Sequence, residues 1–131
     1  SRVEGLTKGY GVSILVTEMT RKAANDLAFL EVDLVRVVGR AEPVPIHTLV
    51  GDEAVARTDA FKALAGDHAE LIAAYRAADP ARAEVALAKA RAHGSEDVAK
   101  LYDIYEERIA ELRLNPPAPG WDGVFTATSK H

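Results

Sequence analysis

The chain has 131 residues, of which 48% are apolar and 27% charged, so it is long enough for one domain with a hydrophobic core. Its formal net charge of −4 argues against a general nucleic-acid-binding protein, because such proteins usually carry a positive surplus that displaces counterions from phosphate. The lack of cysteine excludes disulfides and cysteine-ligated zinc, and no apolar run reaches the roughly 18 to 20 residues that span a bilayer.

The first eleven residues, SRVEGLTKGYG, carry the pattern of a helix. Val3, Leu6 and Tyr10 fall on one apolar stripe, and only Ser1 stands ahead of them as a possible cap. We therefore expect the helix to begin before Ser1 and the chain to belong to a larger unit. The glycines that follow match neither a dinucleotide-binding nor a phosphate-binding loop, and they are interpreted as stop signals.

Residues 12–50 concentrate β-branched side chains in three runs, which predict strands at 12–16, 32–38 and 44–50. Thr17 is placed to cap a short helix between the first two runs. The loop Gly39-Arg-Ala-Glu-Pro between the last two has turn chemistry, so these runs are predicted to form a hairpin.

Residues 58–114 change to helical spacing and predict three helices joined by short turns. The first is expected to end near Ala78. Asp79 and Pro80 then supply the N-cap and first-turn proline of the second, and Ser95 is placed to cap the third.

The tail begins NPPAPG, which cannot continue a helix, and then carries Trp121 and other bulky apolar groups that we expect to dock on the rest of the chain. Together the segments predict an α+β fold. It would comprise a sheet of about three strands, a stretch of about three helices and an extended tail.

The residues alone assemble no catalytic site. The histidines lack the HExxH spacing of a zinc site and are interpreted as structural, with His68 a partly buried helix residue and Asp67 solvating the edge of its apolar face. A mixed run on the third helix is interpreted as a solvated face. The histidines are His47, His68, His93 and His131, and the mixed run comprises Glu106, Glu107, Arg108, Glu111 and Arg113.

The opening segment SRVEGLTKGYGVSILV resembles the one that follows the catalytic asparagine in class III nucleotide cyclases, which runs roughly V-N-x-A-S-R-x-E-x-x-x-K-x-Y-G. LEVDLVRVVGRAEPV at 30–44 resembles that family's closing hairpin, and IHTLVGD at 46–52 resembles its last strand. Features further along, including the end PPAPGWDGVF, are similar to the helical extension of bacterial cyclases that carry a periplasmic sensor and membrane helices. The positions that match the first pattern are Ser1, Arg2, Glu4, Lys8, Tyr10 and Gly11.

The resemblance implies that residues 1–52 are the C-terminal half of a cyclase catalytic domain and that residues 53–131 are a helical extension with a docked tail. The three strands would then be a partial ferredoxin-like sheet, since the family core is a ferredoxin-like α+β domain. Such an enzyme converts ATP or GTP to the 3′,5′-cyclic nucleotide and pyrophosphate, with ATP favoured. Arg2 would be its transition-state arginine. The lysine that many cyclases carry in the hairpin is replaced here by Val38, so Arg40 or Arg36 would have to contact the terminal phosphates.

The resemblance also implies partners. The family works as a head-to-tail homodimer on a nucleoside triphosphate, using Mg or Mn whose ligands lie outside this chain. The chain alone would then be inactive, and the intact parent would act on the cytoplasmic side of the inner membrane, touching the membrane only through N-terminal segments outside this sequence. The alternative interpretation is a non-catalytic α+β/helical interaction or dimerisation module in which Arg2 is incidental.

Overall fold

The computed structural model describes residues 7–36, 39 and 41–126. It confirms the α+β class, with a partial sheet followed by a helical extension and a tail. The elements in chain order are α1 (Thr7–Tyr10), β1 (Val16–Thr17), α2 (Glu18–Ala23), β2 (Ala28–Arg36), β3 (Val44–Gly51), α3 (Glu53–Ala56), α4 (Asp59–Arg76), α5 (Pro80–Arg91), α6 (Ala99–Leu114) and β4 (Phe125–Thr126).

The strands form a four-stranded sheet in the order β1-β3-β2-β4. The predicted hairpin is confirmed, because β2 and β3 pair antiparallel, while β4 of the tail adds to β2 in parallel. The predicted strand at 12–16 is mostly wrong: β1 holds only Val16 and Thr17, paired with β3. Val12 and Leu15 are buried in the hydrophobic core instead, which is why their apolar character resembled that of a strand.

Side-chain caps set most of the helix starts. Thr17 accepts a hydrogen bond from the backbone N–H of Thr20, and Asp79 accepts one from that of Arg82, with proline at the first turn, as predicted. The cap predicted at Ser95 is wrong, since α6 begins beyond it with Val98 at the N-cap position and no side-chain bond. Within the described part of the chain, no helix has the length and apolar character to cross a bilayer.

Sheet and helices share one hydrophobic core. Val32 and Val35 of β2 are fully buried in the same cluster as Leu71 of α4 and Ile109 of α6. The tail docks as predicted: the ring of Trp121 lies edge-to-face on that of Tyr75, with 5.3 Å between the ring centroids. The helical extension is therefore packed directly on the hairpin.

Candidate functional site

Two of the predicted site residues, Arg2 and Arg40, lie outside the described residues. Arg36, the third, is the last residue of β2. Its Nε donates a hydrogen bond to the backbone oxygen of Ala41 at 3.2 Å, and a terminal guanidinium nitrogen lies 3.7 Å from a carboxylate oxygen of Asp122. Arg36 thus links the hairpin loop to the tail, and a phosphate would have to compete with Asp122 for it.

The cyclase-like segment enters the described part of the chain at α1, which ends at Tyr10. Gly11 follows with a φ of +67°, a left-handed conformation that suits a glycine at the end of a helix. A Cβ at Gly11 would lie 2.5 Å from the Cβ of Lys100 on α6, closer than side chains tolerate. Only glycine therefore fits where α1 ends against α6.

The side chain of Tyr10 is anchored on a buried carboxylate. Its hydroxyl donates to Oδ2 of Asp33 at 2.5 Å, and the same oxygen accepts from Arg108 of α6 at 2.9 Å. The other carboxylate oxygen, Oδ1, accepts the backbone N–H of Leu34 at 2.9 Å. Asp33 lies on β2 beside a register irregularity that begins at Glu31, and none of Asp33 is exposed to solvent. We call these three side chains the Tyr10–Asp33–Arg108 cluster.

Aromatic rings enclose the guanidinium of Arg108. Its central carbon lies 5.9, 5.7 and 5.2 Å from the ring centroids of Tyr10, Tyr75 and Tyr105 respectively, within cation–π range. Burial works against the charged form of Arg108, but the hydrogen bond and negative charge of Asp33 outweigh it and raise the pKa. Burial, together with that same negative charge, also raises the pKa of Tyr10, so its hydroxyl keeps its proton and donates.

The cluster joins three elements, α1, β2 and α6, and its contacts hold them together. A further bond fixes α6 on the sheet: the hydroxyl of Tyr105 donates to the backbone oxygen of Val32 at 2.7 Å. Because Arg108 is largely buried and its charge is met by Asp33, the arrangement is suited to holding α1, β2 and α6 in register.

A second polar region lies between α4 and one face of the hairpin, as a groove of about 530 Å³. On one wall Glu18 of α2 lies 2.7 Å from Nε2 of His47 and accepts from Nε of Arg21 at 2.8 Å. The hydrogen bond from Arg21 is the main cause that lowers the pKa of Glu18 to about 2. Partial burial opposes this shift, and the hydrogen bond with His47 adds to it. On the other wall, Arg76 and Glu31 form an ion pair at 2.9 Å. The carboxylates lining the groove are therefore already paired.

His68 also lines this groove and is 2% exposed, more buried than the partial burial predicted. Its Nε2 lies 2.5 Å from the backbone oxygen of Glu31, and its Nδ1 lies 2.8 Å from the hydroxyl of Tyr102. A carbonyl oxygen can only accept, so Nε2 carries the proton and Nδ1 accepts from the tyrosine. Burial lowers the pKa of His68, partly opposed by this backbone oxygen.

No group of three or more His, Cys, Asp or Glu that could hold a metal ion occurs among residues 7–36, 39 and 41–126. His93 pairs instead with Asp67 at 2.8 Å, and His131 lies outside these ranges. The groove carboxylates Glu18 and Glu31 face guanidinium groups and so do not fit Mg or Mn. No chemical step can be assigned to a metal held by these residues.

Sequence reasoning missed Arg108. The mixed run on α6 was predicted to be solvated, which is confirmed for its other four members, but the side chain of Arg108 is only 17% exposed. The signal was helical phase: position 108 falls between Tyr105 and Leu112 at spacings of three and four, on the buried stripe of α6. Asp33 was missed because the irregularity in β2 turns it inward, and a strand pattern does not reveal such irregularities.

The comparisons with known proteins add no relative. No protein-family model, curated protein or solved structure matches this chain. The likeness to nucleotide cyclases accordingly stays a prediction from the sequence, to be judged with the geometry described above.

Proposed function

We propose that this chain is the C-terminal part of a class III nucleotide cyclase, which converts ATP, or alternatively GTP, to the 3′,5′-cyclic nucleotide and pyrophosphate. The observation that carries the proposal is the segment SRVEGLTKGYG. Its last two residues also have specific structural roles, since Tyr10 is anchored on Asp33 and Gly11 has a positive φ against α6. The segment that resembles the family's closing hairpin does form an antiparallel hairpin, β2 and β3, further along the chain.

Arg2 is the residue to which we assign the transition-state role. In the reaction the ribose 3′-oxygen forms a bond to the α-phosphorus while the bond to the bridging oxygen of pyrophosphate breaks, so negative charge moves toward the leaving group. A guanidinium neutralises that charge well, because its planar fork matches phosphate oxygens and it does not deprotonate. Loss of such a group removes a few kcal/mol of transition-state stabilisation, which corresponds to hundreds-fold in rate.

The terminal phosphates need a second cation, since Val38 stands where many cyclases have lysine. Arg40 or Arg36 is proposed in its place. Val38 and Arg40 lie outside the described residues, whereas Arg36 would have to exchange Asp122 for phosphate. Mg or Mn, held by residues outside this chain, would supply the remaining charge neutralisation. A head-to-tail homodimer would bring Arg2 to a partner's metal site.

The test uses the protein extended to include its natural upstream residues. Production of cyclic AMP and cyclic GMP from the triphosphates is measured for the wild type, for Arg2→Ala and for the control Arg57→Ala. Arg57 is an exposed residue whose ion pair with Glu53 lies within one helical turn. Arg2→Ala should lower turnover about a hundredfold or more without changing the thermal midpoint, and the control should keep full activity.

Equal activity of Arg2→Ala and wild type would refute the role of Arg2. Absence of any cyclic nucleotide from the extended wild type, with either metal and either triphosphate, would refute the cyclase itself. The non-catalytic interaction or dimerisation module would then be the better description.

A further inference from the structure

We propose that the helical extension positions the arginine-bearing segment of the cyclase site, and that Arg108 of α6 is the positioning residue. This inference rests on the proposed function and extends it. Residues 53–131 would then affect catalysis by positioning α1, in addition to covering the sheet.

The contact between α6 and the end of α1 is made at two points. Arg108 and the hydroxyl of Tyr10 share one carboxylate oxygen of Asp33, at 2.9 and 2.5 Å. The next residue, Gly11, approaches Lys100 so closely that no side chain could be inserted. Lys100 precedes Arg108 by eight residues on α6. Two separate contacts, one of them through Asp33, therefore join the C-terminal end of α1 to α6.

Arg108 is itself held in place. The rings of Tyr75 and Tyr105 lie within 5.7 Å of its guanidinium carbon, and the hydroxyl of Tyr105 is bonded to the backbone of β2. Removal of the guanidinium would leave Asp33 as a buried carboxylate without its cationic partner, which is strongly unfavourable. The cluster is therefore a rigid junction, and a change in α6 is transmitted to Tyr10.

The sequence links Tyr10 to Arg2. Arg2 precedes Tyr10 by eight residues. The apolar spacing of this stretch predicts a helix, in which eight residues correspond to about 12 Å at 1.5 Å per residue. A small tilt at Tyr10 would then displace the guanidinium of Arg2, and a misplacement of about 1 Å can cost roughly a hundredfold in rate.

The experiment compares steady-state kinetics of the upstream-extended protein carrying Arg108→Met, Arg108→Lys or Tyr10→Phe. Tyr10→Phe removes a single hydroxyl and leaves the pair of Arg108 and Asp33 in place. The matched control is Arg91→Met, because Arg91 also pairs with α6, through Asp103 and Glu106 on its exposed side. Arg108→Met should lower kcat about tenfold to a hundredfold with KM changed less than about twofold. Arg108→Lys should recover part of that loss, and Arg91→Met should retain wild-type kcat.

A second measurement does not depend on turnover. Hydrogen exchange of the backbone amides at residues 7–12 should accelerate at least about tenfold in Arg108→Met and Tyr10→Phe, while amides in α4 and α5 keep wild-type rates. If Arg108→Met does not fold, Tyr10→Phe decides in both measurements.

The outcomes separate the two proposals. An active wild type whose folded Arg108→Met and Tyr10→Phe variants keep full kcat would overturn this inference and leave the proposed function standing. An inactive wild type would remove the proposed function, and with it the catalytic part of this inference. Unchanged hydrogen exchange at residues 7–12 would overturn the proposal that α6 holds α1 in place, whether or not the wild type is active.

Discussion

At the scale of single residues, two buried polar side chains, Asp33 and His68, have partners of matched chemistry. Asp33 accepts from Tyr10, Leu34 and Arg108, which offsets the cost of taking a carboxylate out of water. His68 likewise uses both ring nitrogens, one as donor and one as acceptor. A proton added to His68 would create a buried cation that faces a tyrosine hydroxyl and a carbonyl.

The burial of His68 predicts a pH dependence of stability. Burial lowers the pKa of His68 below its ordinary value of 6.5, so the unfolded chain takes up the proton first. The free energy of unfolding should therefore decrease as the pH falls from 7 through about 6.5 to 5. Urea titrations at each pH would measure it, and His68→Gln should show a shallower decrease than the wild type.

His47 contributes in the same direction, since burial lowers its pKa against the pull of Glu18. A His47→Gln variant separates the effect of His47 on stability from that of His68. Glu18 acts at lower pH, because its stabilising ion pair is present above its ordinary pKa of 4.5 and is lost toward about 2. Stability that stays constant between pH 7 and 5 would contradict the assignment of a neutral, buried His68.

At the scale of elements, helix starts depend on which backbone N–H groups a side chain can reach. Thr58 lies just before α4 and accepts the backbone N–H of Phe61 at 3.1 Å. Ser95 precedes α6 but makes no capping bond, because that helix begins after the fully buried Val98. Burial of an apolar side chain has outweighed the local preference of serine.

Replacement of Thr58 and of Ser95 by alanine should therefore lower the free energy of unfolding by different amounts. Thr58→Ala should reduce the free energy of unfolding by about 1 kcal/mol, because an orphan N–H of α4 loses its partner. Ser95→Ala should change it by less than about 0.5 kcal/mol. Chemical denaturation of both variants provides the measurement, and a larger loss for Ser95→Ala would show that the start of α6 is misassigned.

The same contrast shows how far sequence reasoning reaches. Local signals located the hairpin and the caps at Thr17 and Asp79, because turn and cap chemistry act between near neighbours in the chain. Contacts between residues far apart in the chain could not be predicted from local patterns. The burial of Arg108 depends on Asp33, which lies 75 residues away in the sequence. The predicted arginine contacts stay predictions, since Arg2 and Arg40 lie outside the described residues.

At the scale of the whole molecule, the helices of residues 53–131 and the strands of the hairpin form one packed unit. The core includes Val32 of β2 together with Leu71 and Tyr105 of the extension, so the proposed boundary at residue 52 does not separate two cores. This packing gives the extension a physical route to influence the segment that carries Arg2. The division at residue 52 stays a prediction about the origin of the two parts.

The most direct test of the cyclase proposal is complementation between two inactive variants of the upstream-extended protein. One carries Arg2→Ala, and the other lacks the upstream metal-binding carboxylates. After subunit exchange, half of the dimers are mixed, and each mixed dimer has one intact site of two, so activity should return to about a quarter of the wild-type value. If the mixture is as inactive as its components although mixed dimers have formed, a site shared between subunits with Arg2 opposite the metal is contradicted.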